Sequence, residues 1–359
     1  MEKCILVGCD LHDKTMLLKI ACGKDEPQKR TFENSVDGRK AMIIDLKKRA
    51  GESKVTRIAF AYEASGLGFC LYDELTENGI TCHVLAPSKI ERSAKHRRCK
   101  TDEKDAERIV EILRAHYLAG NPLPDVWIPN KQIRDDREVV RARLDAQDKS
   151  STVKTQIRTL LKRNGLVKPQ EAGDGWTIKY RAWLKALSEC DEPLSFGARS
   201  NLASLIRQMD CLEKEVEQLD KDIEKLASQA RYLEKMLRLK KIKGVGLLIG
   251  MVFLTEMGDL ARFANRRQIG AFLGLAPSSN ETGESDDRKG HITHQGPARV
   301  RYVLTQGVWN RVRFDPGEKA VYERIVAKNP RHKKIAVVAG MRRLAIKMWH
   351  TAMPVKAAC

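Results

Sequence analysis

The sequence lacks any apolar run of about 18 residues, the length needed to cross a membrane. Its nine cysteines include no CxxC pair, so a structural zinc site of that kind is not expected. The first residues, MEKCILVGCD, do not have the pattern of a secretory signal peptide. We therefore expect a cytoplasmic protein with reduced thiols and no membrane partner.

Aromatic residues are scarce at 6 %, whereas charged residues reach 31 %. That balance favours helical, charge-rich domains over an all-β fold. Lys and Arg number 66 against 47 Asp and Glu, giving a net charge of +19. A surplus of this size favours a polyanionic partner, and nucleic acid before a membrane. A chain of 359 residues is expected to form two or three domains.

The first 90 residues alternate strand-like and helix-like patterns, which predicts an α/β domain on a mixed sheet. The predicted strands are 4–9, 15–21, 30–34, 54–62 and 81–85, and the predicted helices are 36–49 and 67–78. A further helix is predicted over 102–116. The segment 120–129 holds three prolines and is predicted to be a linker.

From Leu202 to Leu237, apolar residues alternate steps of three and four over five heptads. This spacing predicts a long coiled-coil arm, paired with the basic helix predicted at 130–164 or with a second subunit. The remainder is predicted to be mostly helical. Helices are expected at 263–275, 299–311 and 333–353, a polar loop at 277–294, and a helix-hairpin-helix-like turn in KIKGVG.

Four acids form the strongest chemical pattern in the sequence. Asp10 and Glu63 each end a strand-like segment, and Asp102 and Asp105 lie three residues apart at a helix start, on one helical face. Any one of them could be an ordinary turn or cap residue. Their order along the chain, however, is that of a ribonuclease-H-like nuclease core. Grouped carboxylates bind Mg²⁺, and two such ions can stabilise both the attacking and the leaving oxygen in phosphodiester displacement.

Basic residues near these acids and in the later helices are candidate contacts to nucleic acid backbones. They are Arg97, Arg98, Lys100, Lys104, Arg137, Arg141, Arg158, Lys162, Lys240, Lys241, Lys243, Arg288, Lys289, Arg299 and Arg301. Gly244 and Gly246 could offer backbone N–H groups to a phosphate. A solvated helix face is the simpler interpretation for the charges on 130–164.

Several segments together resemble the DEDD insertion-sequence transposases, relatives of the Piv invertases that are described as bridge-RNA-guided recombinases. The matching segments are VGCDLH, AYEASG, LAPSKI and KTDEKDAERI, then IKGVGLLIGMVFLTEMGDLARFANRRQIGAFLGLAP and RKGHITHQGPARVRYVL. The resemblance implies a RuvC-like catalytic domain at 1–120, a linker and coiled-coil arm at 121–238, and a C-terminal transposase domain at 239–359.

The resemblance also implies partners and a cofactor. It implies a structured non-coding guide RNA that pairs with double-stranded donor and target DNA, and a homo-oligomer, either a dimer or a tetramer. It further implies two Mg²⁺ ions, which Mn²⁺ can replace, held by the four acids. The expected location is a bacterial or archaeal cytoplasm, in association with the nucleoid.

A nucleophile is implied as well, by a family serine that stands before a glycine shortly after a Gly-Leu-x-Pro turn. Here the turn is GLAP, and Thr282 occupies the serine position. Threonine keeps the hydroxyl, although its extra methyl crowds an in-line approach. Ser285 and Ser279 are the alternatives. Because only His291, His294 and several acids stand nearby, none of them an obvious base, we expect the hydroxyl to be brought to the metal site.

The sequence thus predicts a recombinase that cleaves and rejoins DNA through a covalent hydroxyl–DNA intermediate. Two other functions remain open: a RuvC-like junction-resolving endonuclease that uses water, and a non-catalytic nucleic-acid-binding scaffold. A covalent protein–DNA adduct would favour the first over the endonuclease. Metal-dependent cleavage that vanishes in Asp10→Ala would exclude the scaffold.

Overall fold

The computed structural model describes residues 4–90, 101–279 and 289–353. The chain forms two compact units, Met1–Ile128 and Pro129–Cys359. The boundary between them lies inside the proline-containing segment 120–129. Within the described ranges the chain is mixed α/β and mostly helical, as the composition predicted. None of the described helices combines the length and the apolar character that a membrane span requires.

The described part of the first unit contains five strands and three α-helices, with one turn of 3-10 helix at Pro87–Lys89. In chain order they are β1 (Cys4–Leu11), β2 (Thr15–Cys22), β3 (Gln28–Glu33), α1 (Val36–Glu52), β4 (Arg57–Glu63), α2 (Cys70–Glu77), β5 (Thr81–Leu85) and α3 (Asp102–Ala119). Every element predicted here is present, and the predicted ends differ from these by at most three residues.

The five strands form one mixed sheet in the order β3-β2-β1-β4-β5. β1 pairs antiparallel with β2 and parallel with β4, so the predicted mixed sheet is confirmed. Alternate residues of a strand face opposite sides. Val7 and Cys9 therefore join the core beneath α1 and α2, whereas Leu6 faces the apolar residues of α3, such as Ile109 and Val110.

Gly8 allows α3 to lie directly on the backbone of β1. A Cβ atom at this position would be 2.1 Å from the carbonyl oxygen of Ala106 and 2.9 Å from the amide nitrogen of Val110. Both are backbone atoms, so they could yield only if the whole helix moved. The glycine therefore sets how closely the first turn of α3 approaches the end of β1.

Among its described residues, the second unit contains helices and one short antiparallel pair of strands. Its elements are α4 (Lys131–Arg163), α5 (Ile178–Glu189), α6 (Phe196–Ala227), α7 (Ala230–Leu239), α8 (Leu247–Met257), α9 (Arg266–Phe272), β6 (Pro277–Ser279), β7 (Lys289–Ile292), α10 (Ala298–Phe314), α11 (Pro316–Lys328) and α12 (Lys334–Ala352). The prediction of a polar loop at 277–294 was wrong at the two described ends of that segment, because β6 and β7 pair antiparallel there.

The long helices α4 and α6 pair with each other in antiparallel fashion. Arg143 of α4 binds Asp220 at 2.8 Å, and further along α4 Lys154 binds Glu213 at 2.8 Å, so residue numbers run in opposite directions. Of the two pairings that the sequence left open, the one with the basic helix is present within a single chain.

The predicted five-heptad stripe is wrong over its last part. α6 ends at Ala227, and α7 starts anew three residues later, with Ser228 and Gln229 outside both helices. After this break a different face of the helix is buried. The buried residues of α7 are Tyr232, Met236 and Leu239, none of which is in the heptad register. Leu233 and Leu237 are 45 % and 57 % exposed instead of lying in the arm's seam.

The core of the second unit is built around α8. All its residues from Ile249 to Met257 are buried, which is the behaviour of a helix that is apolar on every side. The turn before α8 contains Gly244, whose φ is +80°. A Cβ there would be 2.9 Å from the carbonyl oxygen of Gly307 in α10, so only glycine fits.

The contact at Gly8 can be tested by adding one methyl group. We expect Gly8→Ala to lower the unfolding free energy of the first unit by about 3 kcal/mol, the upper end for overpacking, because the obstructing atoms are backbone. Hydrogen exchange of the β1 amides in the full chain would measure this.

The matched control is Gly51→Ala in α1, where nothing lies within 4 Å of an added Cβ. That variant should be as stable as the parent or slightly more so, because alanine is the better helix former. Equal stability of the two variants would show that α3 does not need the close approach.

Candidate active site

Asp10 and Glu63 lie at the carboxyl ends of β1 and β4, which are parallel neighbours. In the register of the two strands Cys9 is opposite Tyr62, and each acid is the next residue of its strand. Cys9 and Tyr62 are buried on the face away from α3. By alternation both carboxylates therefore belong to the face that carries α3.

The first turn of α3 adds further acids to this face. Thr101 caps the helix by accepting a hydrogen bond from the Lys104 amide, and Asp102, Glu103 and Asp105 follow in the first turn. Acids in this position are favoured by the helix dipole. Ala106, one residue further, lies against Gly8, so the turn that carries these acids is beside the end of β1.

Glu103 has a different role from its neighbours in that turn. It forms ion pairs with Lys29 of β3 and Lys19 of β2, the latter at 3.7 Å. The hydrogen bond from Lys29 lowers the pKa of the Glu103 carboxyl below its ordinary value. Glu103 thus attaches the start of α3 to the sheet.

His12, which was not among the predicted site residues, lies close to two of the predicted acids. Its Nε2 is 3.1 Å from Oδ2 of Asp10 and 3.5 Å from Oδ2 of Asp102. One ligand atom from each of these three residues falls within 4.8 Å of the others. The signal was present as D-x-H at the strand end, since residues two apart share a face.

The carboxyl of Asp10 is in an unfavourable place for a negative charge. Burial raises its pKa above the ordinary value, and the charges of Asp102 and Asp105 raise it further, whereas His12 acts in the opposite direction. A bound cation would relieve both the burial cost and the repulsion. The oxygen donors here, with one imidazole, are a chemically suitable set for a divalent metal.

The region around the predicted nucleophile is described only at its ends. Thr282, Ser285 and Arg288 lie outside the described residues, and so do Arg97, Arg98 and Lys100. Ser279 and Lys289 end and begin the paired strands β6 and β7.

The base of this hairpin is closely packed. Cβ atoms at Gly274 and Gly296 would be 2.1 Å from the carbonyl oxygen of Gln295 and 1.8 Å from that of Phe272. The two ends of the segment that carries Thr282 are therefore held side by side.

Some predicted nucleic-acid contacts are engaged inside the second unit. Arg137 donates to the carbonyl oxygens of Thr255 and Glu256, and Arg141 binds the Glu256 carboxylate at 2.7 Å. Arg301 donates to three backbone carbonyls near the hairpin. These guanidinium groups hold α4 and α10 in place.

Other predicted contacts are accessible to a partner. Arg299 is partly engaged by Asp145 at 2.9 Å. Gly244 is half-buried, and Gly246 is exposed at the start of α8. The cations that remain exposed are Lys104, Arg158, Lys162, Lys240, Lys241 and Lys243.

Two family models match this chain in separate regions. An IS110-type DEDD transposase model matches residues 7–164, and a model described as the transposase IS116/IS110/IS902 family matches residues 236–323. The first match contains all four predicted acids, and the second contains the β6–β7 hairpin. Together the two models span more than two thirds of the chain.

Curated proteins with similar sequences carry transposase names. The Sinorhizobium fredii protein "Putative transposase y4qE" is 30 % identical over 75 % of this chain, and the match spans 63 % of that protein. The transposase for insertion sequence element IS1533 of Leptospira borgpetersenii is 24 % identical over 90 % of both chains. The transposase for IS1111A of Coxiella burnetii is 25 % identical over 86 % of this chain and 78 % of its own length.

The raised pKa of Asp10 predicts how a neutral substitute would act. Because this pKa is higher in the folded than in the unfolded chain, ionisation of Asp10 favours unfolding. The corresponding stability is fully present below the ordinary Asp pKa of about 4 and is lost as the pH rises through the raised value. We expect Asp10→Asn to stabilise the metal-free chain at about pH 7 and to have little effect at about pH 3.

Thermal unfolding in EDTA at the two pH values would measure this difference. Asp13→Asn, which changes an exposed acid in the next turn, is the control. Added Mg²⁺ should stabilise the parent and not Asp10→Asn. A destabilised Asp10→Asn at neutral pH would mean that attraction to His12 outweighs burial.

Proposed function

Because this chain belongs to the DEDD insertion-sequence transposases of the IS116/IS110/IS902 family, a family of DNA transposases, we propose that it cleaves and rejoins DNA by metal-dependent phosphoryl transfer. The observation that carries the proposal is the meeting of Asp10 with the first turn of α3 at the carboxyl ends of β1 and β4. This arrangement supports a RuvC-like, ribonuclease-H-like domain at 1–120. We further propose that a linker and coiled-coil arm at 121–238 and a transposase domain at 239–359 follow it.

The acids Asp10, Glu63, Asp102 and Asp105 would hold the metal in this proposal. Two Mg²⁺ ions, or Mn²⁺ in their place, would stabilise charge on the attacking and leaving oxygens of the DNA backbone. The acids would position the reacting phosphate indirectly, by holding the cations that bind it. Burial and the neighbouring acids raise the pKa of Asp10, and a cation bound there would offset both effects.

Thr282 supplies the attacking hydroxyl, with Ser285 and Ser279 as the alternatives. Its oxygen forms a bond to phosphorus as the bond to one sugar oxygen breaks, and the departing oxygen takes up the proton that threonine loses. A sugar hydroxyl of a second strand then attacks the same phosphorus and releases the threonine. Each step exchanges one phosphodiester for another, so no external energy source is required.

Guidance by a structured RNA and assembly into a dimer or tetramer complete the proposal. The net charge of +19 and the exposed cations along the arm, such as Arg158 and Lys162, suit contacts to nucleic acid backbones. When base pairing selects the sequence, the protein needs mainly backbone contacts. Arg158 also lies 5.5 Å from the ring centre of Trp176, so the arm presents an aromatic ring beside a cation.

A covalent adduct would separate strand exchange from hydrolysis. We expect the parent protein, incubated with its DNA and Mg²⁺, to give an adduct that survives denaturing electrophoresis. Thr282→Ala should abolish the adduct, and Thr282→Ser should retain or increase it, because serine has the same hydroxyl without the crowding methyl.

Two further variants locate the attacking group. An adduct that persists in Thr282→Ala and is lost in Ser285→Ala or Ser279→Ala would reassign the nucleophile. Free nicked ends with no adduct would support the water-dependent endonuclease. Cleavage that continues unchanged in Asp10→Ala would contradict the role of the acids.

RNA guidance predicts that a defined structured RNA co-purifies with the protein. DNA molecules that this RNA can pair with should recombine, and mismatched DNA should not. Binding should weaken steeply as salt rises, because backbone contacts release counterions. Undiminished recombination after complete ribonuclease treatment would overturn RNA guidance while leaving the transposase reaction intact.

A further inference from the structure

Two hydrogen bonds hold the backbone of His12 in the turn between β1 and β2. Its amide N–H donates to the carbonyl oxygen of Thr15 at 2.9 Å. Its own carbonyl oxygen accepts a hydrogen bond from Nδ2 of Asn34 at 2.8 Å. Because both its amide N–H and its carbonyl oxygen are hydrogen-bonded, the backbone of His12 is fixed at a position close to the acids.

The support of this turn extends to the helices below the sheet. Oδ1 of Asn34 accepts a hydrogen bond from Arg39 of α1 at 3.0 Å, and Arg39 also binds Glu74 of α2 at 2.7 Å. The side-chain amide of Asn34 thus binds His12 through its nitrogen and Arg39 through its oxygen. A ligand site needs donors that are held in place, and these hydrogen bonds hold the backbone from which the imidazole projects.

The distances around His12 fit those between neighbouring ligands of one cation. In an octahedral site with bonds of about 2.1 Å, adjacent ligand atoms lie about 3.0 Å apart and opposite ones about 4.2 Å. The imidazole Nε2 is 3.1 Å from Oδ2 of Asp10, a hydrogen bond in the metal-free chain, and 3.5 Å from Oδ2 of Asp102. One donor atom from each of the three residues falls within 4.8 Å of the others, so a cation could take the place of the shared proton. A small movement of each donor would enclose an ion.

We propose that His12 is a nitrogen ligand, together with Asp10 and Asp102, of one divalent ion in the site. This rests on the proposed metal-dependent function and deepens it. An imidazole ligand shifts preference away from Mg²⁺, which favours oxygen donors, toward first-row transition ions such as Mn²⁺. The site is therefore expected to bind Mn²⁺ more tightly than an all-oxygen site would.

Pulsed electron paramagnetic resonance of bound Mn²⁺ reports nitrogen ligands directly. The untagged full-length chain, stripped of metal and loaded with Mn²⁺, should show ¹⁴N modulation. Labelling its histidines with ¹⁵N should change that modulation without any substitution. In His12→Gln the nitrogen signal should disappear, and Mn²⁺ affinity should fall by at least about tenfold, with a smaller loss for Mg²⁺.

His332→Ala is the matched control, because it removes an exposed histidine in the second unit. It should leave both the nitrogen signal and the Mn²⁺ affinity unchanged. Thermal unfolding of His12→Gln in EDTA would show that the variant is folded. If His12→Gln does not fold, the ¹⁵N-labelled parent protein still tests whether a histidine nitrogen binds the metal.

The outcomes separate this proposal from the proposed function. If Mn²⁺ binds the parent without a histidine nitrogen signal, and binding is lost in Asp10→Ala but unchanged in His12→Gln, then the acids hold the metal and the role given to His12 is wrong. If Mn²⁺ binds equally well to the parent and to Asp10→Ala, the metal-site function itself fails.

Discussion

The packing of α3 on the bare backbone of β1 at Gly8 is the contact on which the candidate site depends. It fixes the first turn of the helix beside the strand end, so that Asp102 and His12 stand within reach of Asp10. The small side chains of Ala59 and Ala61 on the same face leave room for this approach. The same close packing lowers the stability of the metal-free chain at neutral pH, because burial and the charges of Asp102 and Asp105 raise the pKa of Asp10. Placing the acids close together therefore suits metal binding but destabilises the metal-free chain. A bound cation would remove this cost by balancing the negative charge.

In the second unit, buried carboxylates are also held close to other groups, here to arginine and tyrosine side chains that stabilise the fold. Glu256 is buried in α8, where an unpaired carboxylate would be costly, and Arg141 binds it with two hydrogen bonds. Asp136 is likewise buried and accepts hydrogen bonds from Arg231 and from the hydroxyl of Tyr232. Removing one partner of such a pair typically costs about 3–5 kcal/mol, because the other charge stays buried. These pairs fix the base of the arm to the core, so a basic residue on α4 is not by itself a contact to nucleic acid.

Most of the elements could be predicted from the sequence, because alternation and helical spacing are local properties. The strand at 81–85 and the helix at 334–352 are examples. Errors arose where local pattern and long-range packing disagree. The heptad spacing continues through Ser228, yet the chain turns there and exposes Leu233 and Leu237 because α7 packs through its other face. The β6–β7 hairpin is polar, so no alternation marked it, and α11 has no buried residue to produce a period.

The sequence by itself determined which residue types were available for the site and in what order. Asp10, Glu63, Asp102 and Asp105 could be named because each ends a strand or begins a helix. Whether they meet depends on the parallel register of β1 with β4 and on the distance between α3 and the sheet, neither of which is a local property. The position of His12 between two of these acids was decided in the same way. Its spacing from Asp10 places both on one face, but only the packed helix brings Asp102 to the same imidazole nitrogen.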